Sequence, residues 1–504
     1  MPTYENASSM WEQMSACRSE LMLRCETLSA LTLPHICMPQ GVTHESYAIT
    51  HDYSSLGAQA AMHLVNKLHL TLFRPGVPFF RLKPNKQGKK ELQANGVSEE
   101  ALASPLSIVE IAAVKELDNS GQRPKLNTAL EHLVVTGNVL LITEEDHFRV
   151  MGLRYWCVKR NYKGDWIKLV IKEEMCADEL DESIQPYIPA YHPETKVCLY
   201  KVLIRKGKKI QMTQWVNDVE LPDEFKGSWP IAKCPYNVCT WLLPDESNYG
   251  IGLAQQYWGD LEVISELAQS VAEGAQVGTE MRWAVDPTST TRADDLNSTK
   301  NGDFVSARKD DITPIYGGNP EAVNTSDALL QRYERRVSSG FLMQGAATRN
   351  AERVTAEEVR MQALELETAY GGTYSAIARD LQGPVALWCL ARSGNPIDAT
   401  GLEASVITGL DALTRNAELE SLRAAMSDLG LMVNLPEPLQ ARLKWAPLAE
   451  FVGAGRGTNL KPFVMTDEEY AQIQQQQQQS RVAEQAAMDG GKAAAQVTAQ
   501  GTPQ

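Results

Sequence analysis

Four groups of residues have side chains that could do chemistry. Cys234 and Cys239, in the pattern Cys-x4-Cys, could supply half of a thiolate zinc site, which needs four ligands arranged as a tetrahedron. No second Cys or His pair lies nearby: the closest upstream histidine is His192 and none follows, so thiols buried in a core are expected. His63 and His69 stand six apart, a spacing that does not align two imidazoles on one helix face as a spacing of four does, and both read as packing or surface residues. Glu144-Glu145-Asp146, directly after Thr143, gathers three carboxylates of the kind hard cations prefer, but its place at a strand end reads more simply as a turn. Arg205-Lys206-Gly207-Lys208-Lys209 is a basic run at a hairpin tip. It could touch nucleic acid or an acidic partner, but a solvated turn accounts for it, and no DNA role is assigned.

Recognised catalytic patterns are missing. There is no Gly-x4-Gly-Lys-Ser/Thr phosphate loop, no His-Glu-x-x-His, no Gly-x-Ser-x-Gly, and no Gly-x-Gly-x-x-Gly after a strand. No catalytic residue, metal or cofactor is therefore expected. The 504 residues, 43% of them hydrophobic, exceed the size at which a single core stops growing, so two or more domains are expected. With 48 basic against 63 acidic residues the net charge is -15, which argues against a protein that grips nucleic acid over its whole surface. It leaves open one that lets nucleic acid pass. Nine cysteines at irregular spacings suit reduced, cytosolic thiols. The longest apolar run, Val385 to Ala391, is far short of the roughly 18 residues a membrane span needs, and the N-terminus lacks the basic and apolar regions of a secretion signal.

The elements that would position these groups read as follows. Ser9-Met10-Trp11-Glu12 has the form of a capping box, and Trp11, Met14, Leu21, Cys25 and Leu28 follow at helical spacing, which predicts one N-terminal helix. Ala60, Leu64, Leu68 and Leu72 predict a second helix from about Ser55 to Leu72. A third, around Thr128 to Val135, opens on Thr128-x-x-Glu131 and ends at Gly137-Asn138, before a buried strand Val139 to Ile142. From His147 to Trp215 alternation predicts a β-rich block, with Ile167, Leu169 and Ile171 on one face and Trp166, Lys168, Val170 and Lys172 on the other. Its hairpin has arms Val197 to Ile204 and Ile210 to Val216. After Pro244, Leu253, Tyr257, Leu261, Ile264, Leu267, Ala268 and Val271 form the stripe of a long helix. A polar, turn-rich insert at 282–318 follows, then a helix from about Glu321 to Phe341. The longest helix is expected to open with Thr355-Ala356-Glu357-Glu358 and to kink at Gly371-Gly372. Beyond about residue 430 the composition loosens into six glutamines, Gln474 to Gln479, and an Ala/Gln/Gly tail.

Several segments carry a family resemblance. They are Glu246-Ser247-Asn248-Tyr249-Gly250 with Gln256-Tyr257-Trp258-Gly259-Asp260-Leu261, Asn301-Gly302-Asp303-Phe304-Val305, and Glu352-Arg353-Val354-Thr355-Ala356-Glu357-Glu358-Val359-Arg360. Leu64-Val65-Asn66-Lys67-Leu68 and Gly137-Asn138-Val139-Leu140-Leu141 precede them in the same order. Over roughly residues 10 to 430 the chain resembles the portal proteins, or head-to-tail connectors, of short-tailed, podovirus-type bacteriophages. The resemblance implies an α+β portal fold with an α/β wing, a two-helix stem, a small α/β clip and an α-helical crown, assembled as a dodecameric ring at one capsid vertex of the virion. The alternatives are another phage head or tail structural protein, or a soluble enzyme without a recognisable motif.

On this resemblance residues 1–250 are the wing, 251–281 the first stem helix, 282–318 the clip and 319–341 the second stem helix. The tunnel loop is 342–353, the kinked helix and crown 354–430, and 431–504 a crown barrel or a disordered Gln-rich tail. The implied partners are further copies of the chain, double-stranded DNA in the channel, terminase, scaffolding protein, major capsid protein and a tail adaptor, with assembly in the host cytoplasm and no membrane. Twelve copies at -15 each would carry -180, a surface on which DNA slides. In the stem, the acidic Asp260, Glu262 and Glu266 of the first helix are expected to pair with Arg332, Arg335 and Arg336 of the second, around a seam of Leu261, Ile264 and Leu267. In the tunnel loop, Gln344, Thr348, Arg349, Asn350 and Arg353 are expected to touch the DNA backbone, with Arg349 and Arg353 pairing to Glu352 or Glu357 as the alternative.

Overall fold

In the computed structural model the side chain of Asn6 accepts the Ser9 N–H at 3.0 Å and so opens helix α1 (Ala7–Ala16). The cap is therefore Asn6 and not Ser9, whose hydroxyl turns back to the Asn6 carbonyl at 3.1 Å. The single N-terminal helix expected from periodicity is broken at Cys17 and Arg18, and α2 (Ser19–Leu31) follows. The break lets Arg18 turn inward, where its buried guanidinium donates to the carbonyls of Leu153, Arg154 and Trp156. The residues described are 6–42, 46, 53–85, 88–90, 99–188, 192–279, 281–316, 320–343, 356–394, 402–406 and 427. The chain divides into two units, 1–409 and 410–504, and the first carries the described sheets and the helices packed on them.

Helix α3 (Leu56–Leu72) buries Ala60, Leu64, Leu68 and Leu72, the four-residue repeat read from the sequence. Strand β1 (Phe80–Pro84) precedes α4 (Glu99–Asn119), a helix the sequence reading missed; Pro105 interrupts its pattern. Helix α5 (Arg123–Thr136) begins five residues before the expected Thr128. Pro124 sits in its first turn, and the Thr128 hydroxyl bonds the Pro124 carbonyl at 3.2 Å, so Thr128 is interior and caps nothing. The helix ends on Gly137, which adopts φ 74.

The chain then enters β2 (Asn138–Thr143) and β3 (Phe148–Met151), followed by β4 (Trp156–Arg160), β5 (Trp166–Cys176), β6 (Lys196–Lys206), β7 (Lys209–Val216), β8 (Val219–Glu220), β9 (Gly227–Pro230) and β10 (Tyr236–Thr240). Strands β10, β2 and β3 form one antiparallel sheet in that order. Strands β4 to β8 form a second in chain order, with β9 added to β7. On β5, Leu169 and Ile171 enter one core, whereas Val170 faces the other side and is covered by Trp11 and Met14 of α1. Lys206 pairs with Lys209, so the hairpin tip is a two-residue turn, Gly207-Lys208, with Gly207 at φ 62, tighter than the five-residue connection expected.

Past β10 come α6 (Leu253–Gln256), α7 (Trp258–Thr279), β11 (Met281–Val285), α8 (Ala293–Ser298), β12 (Ile312–Tyr316) and α9 (Pro320–Gly340). The segment expected as the longest helix is three pieces, α10 (Ala356–Tyr370), α11 (Gly372–Ile377) and α12 (Gly383–Arg392). Gly371 at φ 47 breaks the first junction and a π-helical turn, Ala378–Gln382, fills the second ahead of Pro384, so α7 is longer than any of them. Strand β13 (Leu402–Val406) returns to pair with β1. The fold is α+β, with its largest core among α3, α4, α5, β2 and α10 to α12. Among the described residues of this unit no helix is long and apolar enough to cross a membrane.

Candidate functional site: a helix-insert-helix arm and its two anchors

Helices α7 and α9 pack against each other and carry between them a small insert, the antiparallel pair β11 and β12 with α8. Two glycines set how closely the helices approach. A Cβ on Gly274 of α7 would lie 2.9 Å from the Val323 side chain, and one on Gly340 of α9 would lie 2.2 Å from the Tyr257 ring. Along the pair, Leu261 and Ile264 join the main core, while Leu267 is only half-buried. Between Ile264 and Val337 no apolar side chain is buried among the described residues. Among the described residues the arm thus has a core at its base and none further out.

The first anchor lies where the chain enters the arm. Asn138, fully buried, accepts the Gly250 N–H at 2.7 Å, donates to the Gly250 carbonyl at 2.8 Å and donates to the Thr136 carbonyl at 2.9 Å. Backbone meets backbone here: a Cβ on Gly137 would lie 2.3 Å from the Gly252 nitrogen, and one on Gly250 would lie 2.7 Å from the Gly137 carbonyl. Just upstream, Asn248 accepts the Arg160 N–H at 2.7 Å and Tyr249 accepts the Val158 N–H at 3.2 Å, stitching the approach to β4. Burial pushes the Tyr249 phenol above its usual pKa, so it stays neutral.

The second anchor holds the end of α9. Phe341 is fully buried against the Tyr257 ring, centroids 5.4 Å apart. The last carbonyls of a helix have no partner of their own, and here side chains from elsewhere serve them. Tyr370 of α10 donates to the Gly340 carbonyl at 2.7 Å, and His63 of α3 donates to the Leu342 carbonyl at 3.1 Å. Leu342 itself takes φ 56, a left-handed conformation rare for a branched residue. Trp241 packs edge-on against Tyr370 at 5.5 Å, and Lys67 of α3 is paired with Glu365 of α10. Burial lowers the His63 pKa, which favours a neutral ring donating through Nε2–H.

Of the stem residues singled out from sequence, Asp260 and Arg336 meet at 2.9 Å, and Arg336 also lies over the Tyr333 ring at 4.8 Å. With Arg336 60% and Asp260 19% exposed, such a pair is worth about 0 to 1 kcal/mol. Glu262 instead accepts from Trp258, and Glu266 contributes its carbonyl to Ser270 at 2.9 Å. Among the described residues Arg332 and Arg335 form no ion pair; Arg335 lines a cavity of about 380 Å³ with Ser54, Gln59 and Ser338. Gln344, Thr348, Arg349, Asn350 and Arg353 lie outside the described residues, as does the whole segment beyond 430.

The other candidates take structural places. Cys239 and Cys234 are buried in different cores. Cys239 donates to the Asp380 carbonyl at 3.3 Å, and burial pushes the Cys234 thiol up to about 11, so neither is a thiolate near neutral pH. Glu144 to Asp146 form the β2–β3 turn, with the Glu144 N–H bonded to the His147 carbonyl at 3.0 Å and Asp146 paired with Arg392 at 3.1 Å. Among the described residues no group of three His, Cys, Asp or Glu side chains is placed to hold a metal. Sequence reasoning missed Asn138 as an anchor. Its only local signal is an amide side chain directly after a helix-ending glycine, and its partner Gly250 is 112 residues away.

Comparison with known proteins places these features in a wider set. The family described as bacteriophage head to tail connecting protein matches residues 4–464, further at both ends than the resemblance read from the motifs. The portal protein of Enterobacteria phage SP6 is 29% identical over 480 residues, covering 94% of this chain and 92% of its own. That of Escherichia phage T7 is 26% identical over 507 residues, covering 97% and 93%. Among solved structures, the neck of an empty GTA particle aligns over 76% of this chain and 90% of its own, at 12% identity and a TM-score of 0.38.

Proposed function

The chain belongs to the family of bacteriophage head to tail connecting proteins, and from that premise we propose that twelve copies close into a ring at one vertex of the capsid, around a channel through which double-stranded DNA is packaged and later leaves. A connector of this kind is a structural component of the phage and not an enzyme. In this reading α7 and α9 are the stem, the insert with β11, α8 and β12 is the clip, and the sheets with α1 to α5 are the wing. The segment after Leu342 is the tunnel loop, α10 to α12 lead towards the crown, and residues 431–504 complete it. The clip receives terminase and afterwards the tail adaptor. The wing side faces scaffolding and major capsid protein, and the ring assembles in the host cytoplasm.

The observation that carries this reading is the arm, two helices bearing a distal insert and anchored to the body at both ends. A conduit needs no nucleotide-hydrolysing motif of its own, because a separate motor supplies the work. It must avoid holding DNA, and a net charge of -15 on every copy does this at long range, while Arg349 and Arg353 offer the backbone mild attraction at one level. End-on electron micrographs of the purified protein should show a hollow twelvefold ring; a monomer or a solid particle overturns the proposal. Arg349→Ala with Asn350→Ala should leave the ring intact and lower the DNA packaged per particle. Full particles from the double variant remove the loop from the DNA path.

A further inference from the structure

Among its described residues, the insert at the tip of the arm is folded without a core. Of its described side chains only Thr291 is buried, and that is a hydroxyl, which donates to Asp311 at 2.9 Å and accepts from the Arg308 N–H at 3.4 Å. Its sheet has two strands of five residues and no third among the described residues, so each strand keeps one open edge. Two paired strands alone are marginal in water, and each hydrogen bond adds only about 1 kcal/mol net. Yet the insert displays large apolar groups. Phe304 stands wholly in solvent, Trp283 is 60% exposed, and Ile315 on the neighbouring strand and Val277 near the end of α7 are also exposed. Singly exposed apolar residues need no explanation, but a folded segment whose described aromatics both stand in solvent does.

Charge indicates what covers these groups. The segment 281–316 carries five cations (Arg282, Arg292, Lys300, Arg308, Lys309) and six anions, all Asp, and so is nearly neutral in a chain of net charge -15. Arg292, Lys300 and Arg308 make no ion pair within their own chain among the described residues, while Asp294 and Asp295 are exposed in the first turn of α8. A surface with unpaired charges of both signs, open strand edges and exposed aromatics suits a second copy of itself. Neighbouring inserts around a closed ring would meet through two different faces, so that each copy both gives and receives.

We infer that the insert completes its fold only against the inserts of neighbouring copies, with Phe304 and Trp283 as the buried anchors, so that the tip of the arm acquires its final shape after ring closure. The inference rests on the ring proposed above and adds an order of events to it. A partner that docks on the tip meets a formed surface on a closed ring and an unformed one on a free subunit, which keeps partners from recruiting incomplete assemblies.

Hydrogen exchange across residues 281–316 tests this on the full chain, in ring and subunit fractions separated by gel filtration at high and low protein concentration. The insert amides should exchange at least about tenfold more slowly in the ring than in the subunit, while β5 and β6 stay protected in both. Trypsin should cut at Lys300 and Arg308 in subunits and spare them in rings, and Phe304→Ser should restore cutting in rings that still form. Equal exchange in ring and subunit overturns the inference and leaves the ring standing. A parent protein that never forms rings overturns both. Rings of Phe304→Ser that resist trypsin as the parent does remove Phe304 as an anchor.

Discussion

The body and the arm reach the same kind of local structure by opposite means. In the body, strands such as β2 bury five of six residues and helices such as α5 bury eight, so local structure there is secured by burial in an apolar core. In the arm, helices of 22 and 21 residues persist with no apolar side chain buried between Ile264 and Val337 among the described residues. Their contact along one another's flanks holds them, since in proteins most helical stability comes from packing rather than from propensity. Substitution should therefore be felt in different places, in the body by the single subunit and in the arm by the assembly proposed above. Subunit unfolding and ring formation, measured side by side, test that division.

The largest effect is expected at the first anchor. Asn138→Ala leaves the Gly250 N–H and carbonyl and the Thr136 carbonyl buried without their partner, at about 3 to 5 kcal/mol, which denaturant unfolding of the subunit measures. A loss below about 1 kcal/mol would mean the arm is not rooted there. Next is acidification of the body. Burial holds the His132 pKa down at about 4, and the unfolded chain binds a proton at about 6.5. The native state therefore keeps His132 neutral. Its contribution is complete above pH 6.5, falls as pH drops through the window from 6.5 to about 4, and is fully lost below it, about 3 kcal/mol in all. Unfolding measured at several pH values in that window, with His132→Gln flattening the slope, checks this.

At the junction of the two regions Gly340→Ala drives a Cβ to 2.2 Å from the Tyr257 ring, and a cost of about 1 to 3 kcal/mol is expected in subunit unfolding. Tyr370→Phe, which removes one bond to the Gly340 carbonyl, should cost about 1 kcal/mol and speed hydrogen exchange at the end of α9. Smallest of all, Asp260→Asn should change subunit stability by about 1 kcal/mol or less, since its pair with Arg336 is open to water. Weaker ring formation at low salt from the same change would strengthen the contrast between body and arm. A subunit that unfolds readily on it would contradict that contrast.

The sequence displayed the arm's outline but not its footings. Leu261 and Ile264 at helical spacing, a turn-rich polar stretch, and a second helix with three arginines were legible because each is a local pattern. The excess of acid on one helix and arginine on the other pointed to ion pairs, yet of the six residues only Asp260 and Arg336 meet, because the angular position of each side chain depends on how the helices pack. Glu262 was taken by its own neighbour Trp258. The break at Arg18 was hidden, since the carbonyls that draw the guanidinium inward belong to residues 135 to 138 positions away. The interruption at Gly371 was legible as a kink because two successive glycines weaken a helix, whereas the π-helical turn was not, because it changes backbone geometry without interrupting the apolar pattern of Tyr374, Ile377 and Leu381.

The two anchors are built differently, and the difference bears on how a long arm would turn. At the first, glycine backbones cross with no side chain between them and a buried amide grips both polar groups of Gly250, so rotation there would open a fully desolvated contact. At the second, α9 is held by the buried Phe341 ring and by single hydrogen bonds from Tyr370 and His63, with no crossing of backbones. Taken as a pivot, the tighter crossing is Gly137 with Gly252. With α7 about 33 Å long at 1.5 Å per residue, a tilt of about 5 degrees about that pivot displaces the tip by about 3 Å. A small strain at one shoulder would thus move the insert at the far end through a distance larger than the strain itself.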